Sequence, residues 1–225
     1  MTAILFLDGG GPVTCDYLDS SGSDTFQTTH SFSMPAGDPV SNRVIAVVVN
    51  YRVAGSQNGP ISALTIGGVD AYPPLREDAL VFSDILAESR VAIFAAMVDT
   101  VASTVTVAIT AGADIAVEVS IYRIANLISL TAVDTAGGIV NGTSLTVNLD
   151  TPDGGVLLAG AGCNNVSTPQ FTAGVTQDTT GLDVNTAPVI AGHHLTSTES
   201  NRAVTITRVG GSASMNAVVT AVSLR

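Results

Sequence analysis

Apolar residues recur at every second position over much of this chain, and almost nowhere at the three-to-four spacing of a helix. Successive strand side chains point to opposite faces, so such a pattern folds as half-buried β-strands. From Ser103 to Thr110, Val105, Val107 and Ile109 share one face, and Thr104, Thr106 and Thr110 the other. From Ile115 to Ile124, Ile115, Val117, Val119 and Ile121 oppose Glu118, Ser120 and Tyr122, and the AGAD between the two segments reads as a hairpin turn. Leu145–Asp150, Ala203–Arg208 and Asn216–Leu224 alternate in the same way, the last two linked through Gly210-Gly211-Ser212. The expected core therefore includes Val105, Val107, Val117, Val119, Ile121, Val204 and Ile206.

Other segments are apolar without a break: Val44–Tyr51, Val91–Val98 and Val156–Gly162. They are short and rich in β-branched residues, as in central strands covered on both faces, for instance by a second sheet and by a neighbouring subunit. Only Leu80–Arg90 has room for a turn or two of helix. Pro73-Pro74 and the stretch Asp150 to Gly155 punctuate the chain as turns. The fold class that follows is all-β, an antiparallel β-sandwich resembling a jelly-roll double Greek key, with little helix. A weak internal repeat sets Val105 opposite Val204, and the run leading into Val44–Val49 opposite the run leading into Val156–Ala161. The expected organisation is one sandwich domain over 1–225, with pseudo-repeated halves at about 24–126 and 143–225 behind an arm at 1–23. Two consecutive small sandwiches are the alternative.

Charge narrows the partners. All eight basic residues are arginine, against nineteen acidic ones, for a net charge of -11. Few phosphates can be neutralised by such a set, which argues against nucleic acid and anionic membrane surfaces. Mean hydropathy is +0.44, yet there is no 18-residue apolar run, so membrane insertion is not expected. The start, MTAILFLDGGG, lacks a basic segment and does not read as a signal peptide. Cys15 and Cys163 are far apart and read as buried free thiols rather than a disulfide. The sequons at Asn141 and Asn165 carry no weight without a secretory signal.

Chemistry-bearing motifs are sparse. No G-x-S-x-G, P-loop, G-x-G-x-x-G or H-E-x-x-H occurs. His30 shares a strand face with Phe26, Phe32 and Met34 and reads as a satisfied core or edge histidine. His193 and His194 are adjacent, so on a strand they point to opposite faces and do not simply ligate one ion. The Asp8-Gly9-Gly10-Gly11 and Asp150/Asp153 loops offer oxygen ligands for calcium, but Asx turns account for them as well. Glu77-Asp78 and Asp84…Glu88 fall in what reads as a solvated connecting stretch. A sugar platform needs aromatic rings; there is no Trp, and of Tyr17, Tyr51, Tyr72 and Tyr122 the last is the best candidate for exposure. No catalytic, cofactor-binding or metal-ligating residue is nominated.

Asn42-Arg43 leading into VIAVVVNY, then ISALTIGGVDA, VASTVTVAIT with VEVSIYRIAN, and DGGVLLAGAG, give a succession that spans about residues 30–225. In this the chain resembles β-sandwich accessory proteins on the virions of tailed bacteriophages and related gene-transfer particles. The resemblance implies a non-enzymatic virion part without cofactor or metal, made in the host cytoplasm, serving as capsid decoration, head fibre or tail component. The partners to expect are copies of itself, in a trimer or higher ring, and other virion proteins. A glycan- or receptor-binding module at a fibre or tail tip, with host-surface glycan as partner, is the second reading. A glycan-degrading enzyme ranks last.

Overall fold

A computed structural model describes residues 11–40, 42–55, 59–81, 88–98, 102–163, 168–179, 182–184, 187–209 and 215–225. Sixteen strands run through these residues and no helix is present among them. The first seven are β1 (Thr14–Pro35), β2 (Val44–Val53), β3 (Ile61–Ile66), β4 (Val69–Asp70), β5 (Arg76–Val81), β6 (Glu88–Met97) and β7 (Thr104–Ala125). The next five are β8 (Asp134–Gly142), β9 (Ser144–Thr151), β10 (Gly155–Cys163), β11 (Thr168–Ala173) and β12 (Thr176–Gln177). The last four are β13 (Leu182–Val184), β14 (Ala187–Thr196), β15 (Glu199–Val209) and β16 (Met215–Leu224). All pairings are antiparallel, and the all-β sandwich expected from the alternation is the fold observed.

The strands form four stacked layers. In the first half, β5, β6, β2, the C-terminal part of β7 and the N-terminal part of β1 lie side by side as an inner layer. The remainder of β1 and β7, with β3 and β4, curls over as an outer layer. The second half repeats the arrangement: β14, β10, β16 and β8 form the inner layer, with β12 and β13 on the free side of β14, and β11, β15 and β9 the outer one. Strand for strand, β2 corresponds to β10, β6 to β14, β3 to β11, β7 to β15 plus β16, and β1 to β8 plus β9.

Each half closes its own core, and the two inner layers then pack against each other. Alternate residues of β2 and β6, including Val47, Val49 and Phe94, face the outer layer of the first half. The intervening ones, Val44, Ala46, Val48, Val91 and Ile93, face Val156, Leu158, Val218 and Val222 of the second half. A third core lies between Leu157, Ala159 and Val219 on one side and Phe171, Val204 and Ile206 on the other. Hence the unbroken apolar runs: both faces of β2, β6 and β10 are dry, and the chain itself covers them. The neighbouring subunit suggested as a cover for those faces is not needed. Val105, Val107, Val117, Val119, Ile121, Val204 and Ile206 are all buried, as expected.

Two local expectations need correction. AGAD (111–114) is no hairpin turn; it lies inside β7, which is continuous for 22 residues. The register with β1 jumps there, Gln27 pairing with Ile115 and Thr29 with Thr110, because at this point both strands cross from the inner layer to the outer one. Small residues allow the bend, and partners on both sides keep the strand intact. Leu80–Arg90 supplies strand at both ends, in β5 and β6, and 82–87 lie outside the described residues. Arg43, 1% exposed, donates to the carbonyls of Ala36, Gly37 and Ala102, so the arginine ahead of β2 ties two loops to the end of the sheet.

Gly160 of β10 sets the spacing of the inner layers: a Cβ there would lie 2.5 Å from Val48 Cγ1 and 2.7 Å from Val91 Cγ1. Gly160→Ala is expected to destabilise the protein by about 1–3 kcal/mol, the range for overpacking a filled core. Chemical denaturation checks it, and an unchanged midpoint means that the layers are not in contact at this point.

Candidate functional site

Where the apolar seam between the halves ends, charged groups begin, and they do so in two places. Asp78 of β5 sits opposite Val91 and reaches Thr220 Oγ1 of the other half at 3.0 Å, with Arg76 as its counter-ion at 2.7 Å. A side chain at Gly137 of β8 would collide with the Asp78 carboxylate, so glycine there admits it. Asp178, following β12, hydrogen-bonds through its backbone to Ala191 and accepts from His193 Nδ1 at 2.8 Å. Asp178 faces Tyr122 of the first half. Tyr122 is fully buried, and its hydroxyl closes no hydrogen bond of normal geometry. Its ring meets Tyr17 at 5.6 Å and His193 at 5.8 Å.

The second of these places opens to solvent. Tyr17, Ser20, Asp178, Thr179 and Leu182 line a cleft of about 190 Å³ between the halves. Its first-half wall is made by Tyr17 and Ser20 of β1, which pair with Tyr122 and Ser120 of β7. Ser120 and its neighbour Asn50 are each 1% exposed, and neither the Ser120 hydroxyl nor the Asn50 amide has a hydrogen-bond partner. Burial, with Asp24 and Asp19 adding repulsion against support from Ser20, pushes the Glu118 carboxyl up to about 7. Burial, then the nearby carboxylates, raises the Tyr122 phenol and the Cys15 thiol well above their ordinary values, so neither is an activated nucleophile at neutral pH. The cleft offers hydroxyls, one oriented carboxylate and one aromatic ring: equipment for hydrogen bonding and stacking.

The residues weighed from sequence fall in several places. His30 is 4% exposed, with Nε2 2.8 Å from the carbonyl of Ile115 and its ring stacked on Phe32, a satisfied core histidine. His193 faces the seam, while His194, on the opposite face, is held below its ordinary value by burial and by Arg202. Tyr122, expected at the surface, lies at the seam because the "polar" face of its strand is covered by the second half. Glu77 and Asp78 are not solvated loop residues. They point to opposite faces of β5, and Glu77 joins the Tyr51 hydroxyl and Arg90, which also holds Glu88 at 2.9 Å. Asp150 spends Oδ1 on the backbone of Asn201. Cys15 and Cys163 are free and lie in different cores. Asp8, Asp84 and the Asn165 sequon lie outside the described residues. Sequence reasoning passed over Asp178, Ser20 and Asn50, which stand in no motif.

Glu118 makes stability depend on pH in a set direction. Its folded value lies above the unfolded 4.5, so its neutral form is favoured by the fold, and stability falls as pH rises from about 4.5 through about 7. Glu118→Gln removes that loss. At pH 8 the variant is expected to melt about 4 °C or more above the parent, with little gain at pH 4. An equal shift at both pH values would assign the effect to packing instead.

No family model matches the chain, and no curated protein matches it. Among solved structures it is similar to dimeric latent PorU from Porphyromonas gingivalis, with 12% identity and a TM-score of 0.34. That likeness covers 96% of this chain and 22% of the PorU chain, so this chain spans about a fifth of PorU's length. A TM-score this low supports no statement about function.

Proposed function

We propose that this chain is a non-enzymatic structural component of a tailed-bacteriophage virion, an oligomeric accessory of the capsid, a fibre or the tail. The observation that carries the assembly half of this reading is the edge of β1. This strand is 22 residues long and pairs only with β7, and no strand among the described residues occupies its other side. A long open edge invites pairing with another chain, and a protein meant to remain alone blunts it. Since the apolar faces are consumed inside the chain, assembly through edges replaces assembly through faces. The sequence resemblance supplies the particle. The groups near the cleft support the non-enzymatic half, because burial holds the thiol and the phenol in their protonated, unreactive forms.

Size-exclusion chromatography with light scattering is expected to give a symmetric homo-oligomer of three or more copies. Ser31 and Ser33 are exposed on β1, and the double change Ser31→Lys, Ser33→Lys is expected to shift the population toward monomer. Turnover assays on host polysaccharide, run beside these, are expected to show no hydrolysis. A stable parent monomer that cleaves glycan would overturn the reading.

A further inference from the structure

We infer that the cleft between the halves, lined by Tyr17, Ser20, Asp178, Thr179 and Leu182, binds one pyranose residue of a sugar. The inference goes beyond a structural role and needs no particle. Three observations carry it. First, the cleft mixes surfaces as a sugar ring does: an aromatic ring and Leu182 for the C–H face, hydroxyls and a carboxylate for the hydroxyl edge. Second, the lining comes from both halves, Tyr17 and Ser20 of β1 facing Asp178, Thr179 and Leu182, so a small ring entering the cleft is held from two sides. Third, the one carboxylate on the wall is oriented from behind by His193 Nδ1 at 2.8 Å and buried to 8% side-chain exposure, a preformed acceptor rather than a solvated charge.

Size and charge select among ligands. A volume of about 190 Å³ is below the roughly 300–1,000 Å³ of pockets for drug-sized molecules and suits a single ring. A metal ion wants several anionic or imidazole ligands converging, and the described residues contain no group of three or more. A cationic ligand would need the Asp178 charge to itself, whereas His193 already engages it.

Saturation-transfer NMR on the full chain tests this, with glucose, galactose, mannose and N-acetylglucosamine as free sugars and as methyl glycosides, and choline as the cationic control. At least one sugar at about 5 mM is expected to give a signal that falls at least fivefold in both Asp178→Asn and Ser20→Leu. Signal from the glycosides alone assigns the end of a glycan chain, and equal signals assign a free hexose. Circular dichroism confirms that the variants fold; should Asp178→Asn fail to, Ser20→Leu decides, since it fills the cleft without disturbing the Asp178–His193 pair. Silence from all sugars, a signal unchanged in Ser20→Leu, or a signal from choline alone would overturn the inference.

Discussion

The close approach of two apolar sheet faces across Gly160 is the contact on which the rest of the molecule depends. Each half has its own core, but the inner layer of each would present a face of Val, Ile and Leu to water were the other half absent. Burying such surface is the main favourable term in folding and acts through area rather than direction. Direction comes from the seam's ends, where Asp78 and Asp178 reach across to hydroxyl-bearing residues of the opposite half. Slid by one residue, the apolar faces would still be buried, whereas Asp78 would lose its hydrogen bond from Thr220 Oγ1.

The two ends differ in what they bring together. At one, the carboxylate meets Arg76, Thr220 and a glycine that lets the strands close over it. At the other, Asp178 pairs with His193 of its own half and faces Tyr122 of the first, beside an open cleft.

Much of the fold was legible because strand periodicity is a local property. The alternating segments and the apolar runs all became strands. What period two does not reveal is what lies above each face. Tyr122 alternates onto a face that is polar by composition, carrying Glu118 and Ser120, and that face is buried because the second half docks on it. Ala111 to Asp114 has turn-like composition, and only pairing from both sides shows that the strand runs on. The cleft brings together Tyr17 and Asp178, residues from different halves, and no local signal joins them.

The crossing of β7 from inner to outer layer has a consequence for cooperativity. In the first half one strand belongs to both layers, with β1 along one side and β2 or β3 along the other. Neither layer can open without breaking the strand that holds its partner, so their amides exchange with solvent together, through the same large unfolding event. In the second half the equivalent strands are separate, β15 in the outer sheet and β16 in the inner one. The outer sheet of β11, β15 and β9 is thereby a smaller unit able to open by itself, which makes it the softer end of an otherwise symmetric molecule.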